Sequence, residues 1–177
     1  MMTHSGERES AIDEVIAKHR INELMKMYCR GMDRADHKLL ESVFHPDATV
    51  ITGAVDGSAS VFCRDICRYL TTNLDSCYHS VNDGWIKLMG SRASGEFYVL
   101  AAMTAGGTLT IGGGRYADEF ELHDGSWRIT SHTFISDWLV SYSEPGSFSR
   151  DELPASLPRG LFGPQDKIYE LWSKHRS

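Results

Sequence analysis

Tyr28-Cys29-Arg30-Gly31-Met32-Asp33-Arg34-Ala35-Asp36-His37 is the stretch around which the rest of this chain can be read. It closes a run in which Ile21, Leu24, Met25, Tyr28 and Met32 recur at i, i+3, i+4, i+7 and i+11, one face of a helix. Asp33 falls beside that stripe, not opposite it, provided the helix loosens after Gly31. A carboxylate at the rim of an apolar face costs free energy unless something pairs with it. A histidine from elsewhere in the chain is its natural partner.

Working outward, Ile12, Val15 and Ile16 form a stripe at a different angle on the same helix, an expected contact with a neighbouring subunit. Asp36 reads as the N-cap of a short helix carrying Leu39, Leu40, Val43 and Phe44, which Pro46 ends. Ala48 to Thr52 reads as a strand, and Ser58 or Ser60 caps a third helix with Phe62, Ile66, Tyr69, Leu70 and Asn73 in phase. From Cys77 the period changes to two. Strands are expected over Tyr78 to Val81, Trp85 to Met89, Glu96 to Met103, Thr108 to Ile111, Arg115 to His123 and Ser126 to Val140. Asp124-Gly125, between alternating runs, is the strongest hairpin signal. Gly112-Gly113-Gly114 opens no helix, so it is a bulge in a bent sheet and not a phosphate loop. Helices followed by an antiparallel meander make an α+β layout.

The 177 residues suit one domain, expected over 1–140, with 141–177 as an extended tail. That tail holds four of the five prolines, so it should be a loop, yet Phe148, Leu153, Leu157, Leu161 and Phe162 make it too apolar for a free linker. It is expected to lie on the domain or on another subunit, closing with a short helix that presents Ile168, Leu171 and Trp172. A net charge of −6 without a basic face argues against nucleic acid, and no window has the roughly 20 apolar residues of a membrane span. The expected compartment is the cytoplasm. Cys29, Cys63, Cys67 and Cys77 read as reduced thiols, because Cys63 and Cys67 alone cannot complete a zinc site.

With the element order in place, five segments resemble the SnoaL-like branch of the nuclear transport factor 2-like superfamily. They are Ile21-x-x-Leu24-x-x-x-Tyr28-x-x-x-x-Asp33-x-x-Asp36, Phe44-His45-Pro46-Asp47-Ala48, His79, Gly113-Gly114-Arg115-Tyr116-x-Asp118, and Asp124-Gly125-x-Trp127-Arg128-Ile129. That branch includes scytalone dehydratase, bile-acid 7-alpha-dehydratase and lindane dehydrochlorinase. The resemblance, over about Ile12 to Trp138, implies a cone-shaped α+β barrel: a strongly curved, mainly antiparallel sheet wrapped around three N-terminal helices, with a deep apolar pocket. It implies a lyase without cofactor or metal, a small-molecule substrate, and a homo-oligomer, trimer before dimer. His79 and Asp33 match the family's histidine and carboxylate, and Tyr28 matches a pocket tyrosine. The bile-acid enzyme's further acidic residue has no counterpart in Tyr98-Val99-Leu100-Ala101-Ala102, nor does its late arginine near Ser136 and Asp137.

These residue types suit proton transfer. An imidazole with an unperturbed pKa of about 6.5 can take a proton at neutral pH and return it. Asp33 would fix its tautomer, as the carboxylate of a triad does. His79 is therefore expected as general base, Asp33 as its orienting partner, and Tyr28 as a donor to a leaving hydroxyl or oxyanion. Read singly, His79 is as readily a structural strand histidine, Asp33 a helix-ending residue and Tyr28 a core residue. Trp85, Phe97 and Trp138 are candidate substrate-binding walls. His132 is a second acid or base candidate, with Arg128, Thr130, Phe134 and Ser136 on a face opposite Trp127 and Ile129. Arg115 and Asp118 suggest an ion pair on the sheet. The expected reaction is dehydration of a small, apolar, aromatic or polycyclic hydroxylated compound, with aldehyde-releasing carbon-carbon cleavage as a relative. An isomerase of the ketosteroid type and a non-catalytic ligand-binding or assembly module are the alternatives.

Overall fold

The stripe from Ile21 to Met32 is buried along its whole length within helix α1, which spans His4–Arg34. The computed structural model describes residues 4–143, 154 and 156–174. α1 does not loosen at Gly31; it stays helical through Arg34 and stops at Ala35, whose φ of 49° is left-handed. Ala35 N donates to Met32 O at 3.1 Å and Asp36 N to Gly31 O at 2.8 Å, the two closing bonds of a Schellman ending. Asp36 then caps α2 (His37–Val43), accepting from Leu39 N at 3.1 Å. The elbow is two residues long, and it fixes where the last turn of α1 presents Asp33.

Strand β1 (Phe44–Ile51) begins earlier than expected. Pro46 lies inside it and not in front of it, tolerated because the pairing register is interrupted between Phe44 and Thr49. A short β2 (Gly57–Ser58) leads into α3 (Ala59–Asn73), capped by Ser58 through Val61 N at 3.4 Å. Then come β3 (Ser76–Val81), β4 (Trp85–Met89), β5 (Arg92–Ala105), β6 (Thr108–His123) and β7 (Ser126–Tyr142). The Asp124-Gly125 hairpin forms as expected, with positive φ at both residues and His123 opposite Ser126.

The sheet order is β2-β1-β7-β6-β5-β3, with β4 also paired to β5; only the β1–β7 pair is parallel. This is the expected α+β arrangement of a curved, mainly antiparallel sheet with three N-terminal helices on one face. The sheet stays open, ending at β2 and β3. α1 packs on β3 and α2, and α3 on β1. Thr108 to His123 is one strand and not two. β7 takes up an extra residue at Asp137, opposite the Gly113/Gly114 step, so the ladder continues through the glycines. Glycine is needed there, since a Cβ on Gly113 would lie 2.4 Å from the Trp138 ring.

A second bulge, at Thr130, corrects the facing of β7. It shifts the alternation by one, so that Trp127, Ile129 and His132 share the buried face. The inner face carries Phe97, Tyr116 and Phe134 in one cross-strand row and Asp118, His132 and Val50 in the next. The outer face exposes Tyr78, Tyr98, Leu100, Ile135, Trp138 and Val140. Ile12, Val15 and Ile16 are also exposed.

A non-glycine left-handed residue costs about 1–2 kcal/mol. Ala35→Gly is therefore expected to be neutral or stabilising by up to about 1 kcal/mol, and Ala35→Val to destabilise by at least about 1 kcal/mol, both read by urea denaturation. Loss of stability in the glycine variant would mean that Ala35 is not strained.

Candidate active site

Two carboxylate bonds join the end of α1 to the edge of the sheet. Asp33 Oδ1 meets His79 Nδ1 at 2.7 Å, and Asp33 Oδ2 accepts the main-chain N–H of His79 at 3.1 Å. β3 is an end strand with β5 on one side only, and this N–H points to the unpaired side. One carboxylate thus satisfies a strand edge and orients a ring. Arg34 Nη1 donates to Asp33 O at 2.9 Å, steadying the turn from which the carboxylate projects.

His79 and Cys77 are two residues apart and project from the same face of β3, with Cys77 Sγ 3.7 Å from His79 Nδ1. Burial works against a charged ring, but the bonds to Asp33 and Cys77 outweigh it and raise the His79 pKa to about 10. At neutral pH that shift leaves the ring already protonated, with Asp33 at Nδ1. With Nδ1 held by Asp33, Nε2 is the ring atom left for chemistry.

The couple borders a cleft of about 370 Å³ whose other walls include Lys26, Arg30, Arg34, Cys29, Tyr78 and Val81. This cleft is not the deep apolar pocket that the resemblance implied, since three cationic side chains border it. The C-terminal segment leans on two of these cations. Tyr169 Oη donates to Asp36 Oδ2 at 2.5 Å, and the Arg30 guanidinium lies 4.7 Å from the Tyr169 ring centre and 3.9 Å from that of Trp172. Arg34 Nε is 3.6 Å from Asp166, which caps helix α4 (Lys167–Ser173) through Ile168 N. Phe148 and Leu153 lie outside the described residues.

The other sequence-derived candidates are not at this cleft. Tyr28 is buried in an aromatic group with Phe44, Phe62 and Tyr116, its ring 4.5 Å from that of His132. His132 is fully buried and bonded through Nδ1 to Asp118 Oδ1 at 2.7 Å, while its Nε2 has no partner. Burial raises the Asp118 carboxyl, opposed by the bond to His132, and pushes the Tyr28 and Tyr116 phenols up. Phe97 is core, edge-on to Phe120, whereas Trp85 and Trp138 are 75% and 49% exposed on the outer face. Arg115 and Asp118 do not pair with each other, since three residues along a strand puts them on opposite faces. Arg115 instead binds Glu96 and Asp137.

Sequence reading missed Lys26, Arg30 and Arg34 at the cleft and Cys77 beside the ring. The signals were the i, i+4, i+8 run of cations on α1, flanking Asp33, and the Cys77-x-His79 alternation. Asp33, Cys77 and His79 offer three ligand atoms within 4.8 Å of one another, a set able to hold a metal ion.

A family model described as "SnoaL-like domain" matches residues 13–133, which include most of α1, the cleft and most of the sheet. The chain belongs to the SnoaL-like domain family. Among solved structures, this member resembles a hexachlorocyclohexane dehydrochlorinase (LinA) type 2, with a TM-score of 0.71 and 16% identity over 83% of this chain and 99% of that one. A scytalone dehydratase-like protein from Novosphingobium aromaticivorans DSM 12444 gives 0.67 and 17%, covering 73% and 89%. A nuclear transport factor 2-like superfamily protein from Salmonella enterica serovar Typhimurium gives 0.66 and 17%, covering 77% and 99%. At such identities the likeness is one of fold. No curated protein matches the sequence.

The raised His79 pKa links the couple to stability. The folded ring binds its proton more tightly than the unfolded one, so its contribution is fully present below about pH 6.5 and is lost as pH rises through about 10. Denaturation series across that window should show stability falling with pH in the wild type and a flatter profile in Asp33→Asn. Equal slopes would mean that Asp33 does not hold the proton.

Proposed function

We propose that this SnoaL-like protein is a cofactor-independent lyase that eliminates water from a small hydroxylated compound, with Asp33 and His79 handling the proton. The observation that carries the reading is a 2.7 Å carboxylate–imidazole couple bordering a cleft. Structural likeness to a dehydrochlorinase and a scytalone dehydratase-like protein supports the class. Aldehyde-releasing carbon-carbon cleavage belongs to the same reading, since it needs the same placed acid and base.

The proton on His79 changes the order of events expected from sequence. A protonated ring first acts as an acid: Nε2 gives a proton to the leaving hydroxyl, the carbon-oxygen bond breaks and water departs. The neutral ring, still aligned by Asp33, then accepts the proton from the adjacent carbon as the double bond forms, and the resting pair is restored. Asp33 stabilises the charged ring at either end of the cycle. Val81, on the same face of β3 as His79, offers an apolar wall, while Lys26 and Arg30 suit an acidic or strongly polar substituent. Tyr28 serves by packing, at a distance from the cleft.

An isomerase of the ketosteroid type would want a phenol and a protonated acid at its site, and Tyr28 and Asp118, the pair with that chemistry, lie buried against His132 and not at the cleft. Product mass separates the two, since isomerisation expels nothing. Four free cysteines accord with the cytoplasm, and no described helix is long and apolar enough to cross a membrane.

The acid-first order predicts that turnover holds through neutral pH and falls as pH rises through about 10. A rate that climbs toward that pH would make His79 the base of the first step. His79→Ala and Asp33→Asn should each lower turnover on the order of 10²- to 10⁴-fold; unchanged turnover would remove the couple from the mechanism.

The exposed outer sheet face, with Tyr98, Leu100, Ile135, Trp138 and Val140, is the proposed contact between copies, trimer before dimer. Sedimentation should find an oligomer that Leu100→Glu reduces to monomer. A monomeric wild type would end this assignment.

A further inference from the structure

The end of β3 carries more donor chemistry than a proton shuttle uses. Cys77 and His79 project from one face of the strand and Asp33 reaches the same point from α1, bringing a thiol, an imidazole and a carboxylate within 4.8 Å of one another. We propose that Asp33, Cys77 and His79 form a binding site for one borderline-soft divalent cation, zinc being the natural occupant, and that its entry arrests the proton shuttle.

The donor set selects the ion. Magnesium and calcium take oxygen ligands, whereas zinc accepts nitrogen, sulfur and oxygen together, with three protein ligands and an open fourth position. Zinc bonds of about 2.0–2.3 Å set donor atoms roughly 3.3–3.7 Å apart in a tetrahedron. The separation of 3.7 Å between Cys77 Sγ and His79 Nδ1 already fits, the 2.7 Å Asp33–His79 bond has to open by about half an ångström as the ion replaces its proton, and the widest separation, within 4.8 Å, has to close by up to about 1 Å. The Asp33 and His79 side chains are 11% and 9% exposed at the cleft, which supplies the route in and a water for the fourth position.

The ion takes the place of the hydrogen between His79 Nδ1 and Asp33 Oδ1, and the Cys77 sulfur binds as a thiolate, each displaced proton passing to solvent. With Nδ1 and the carboxylate both on the metal, Asp33 no longer holds the ring as the shuttle requires. Capture of the ion stands independently of the proposed lyase activity; only the arrest of turnover rests on it.

The test uses the full chain, stripped with a chelator and titrated with cobalt(II) as a spectroscopic stand-in for zinc. A saturable thiolate-to-cobalt charge-transfer band at one ion per chain, displaced by zinc, is expected in the wild type and in Cys63→Ser, whose thiol is not one of the three donors. In Cys77→Ser the band should vanish. Equilibrium dialysis should show zinc binding at least about a hundredfold weaker there, beyond the loss typical of an outer partner. No band in the wild type, or the same band in Cys77→Ser, overturns the proposal whatever the protein's catalytic activity. Where turnover is measured, zinc should abolish it with the midpoint found by dialysis, and full turnover at saturating zinc would overturn the arrest.

Discussion

The structure depends on one carboxylate holding two N–H groups of the same residue. Asp33 stands where a helix ends and His79 where a sheet ends, and each of those places leaves polar groups that backbone pairing cannot reach. By bonding the main-chain N–H and the ring of His79 together, Asp33 removes an edge defect and orients the ring at once. This is why the elbow at Ala35 matters to a site it does not touch. A longer connection to α2 would leave the last turn of α1 free to rotate, and the carboxylate would lose one of its two bonds.

Among the described residues, two aspartate–histidine couples share the same 2.7 Å separation, and their surroundings give them different prospects. Asp118–His132 is a cross-strand pair sealed beneath Tyr28 and Tyr116, with a ring nitrogen that meets no partner. Such a buried pair adds little net stability, since desolvating both groups offsets most of their attraction. Asp33–His79 keeps an opening to the cleft, so its proton has somewhere to go. Geometry within a couple does not distinguish an acid from a packing element; access does.

Much of this was legible in the sequence where local chemistry decides local structure. The 3.6-residue stripe of α1, the Asp36 and Ser58 caps and the Asp124-Gly125 turn depend on near neighbours and formed as read. The meeting of Asp33 and His79 was reached through a resemblance and the cost of an unpaired carboxylate, not through spacing. What stayed hidden depends on partners far along the chain. A single extra residue at Thr130 reversed the facing of His132, and no pattern within β7 announces it. Pro46 looked like a boundary because its tolerance inside β1 depends on an interrupted register with β7. Trp85, Phe97 and Trp138 were grouped as one wall because they are large aromatics; the sheet sends Phe97 inward and the other two outward.

The charge around the cleft bears on what can enter it. The chain is acidic overall, with a net charge of −6, yet Lys26, Arg30 and Arg34 converge on the cleft beside Asp33 and His79. Lys26 is shared with Glu23 and Asp83, and Arg34 with Asp166 and a main-chain carbonyl, whereas the nearest carboxylate to Arg30 is Asp36 at 4.0 Å. Arg30 gains its remaining stabilisation from the faces of Tyr169 and Trp172, which hold a guanidinium without neutralising it. The C-terminal segment therefore leaves positive potential at the cleft that a matching carboxylate would have cancelled. What works against the proton on His79 is burial of the ring, which the bonds to Asp33 and Cys77 outweigh. The carboxylate that closes the sheet edge thus also helps to keep a proton on a buried ring beside a cationic cleft.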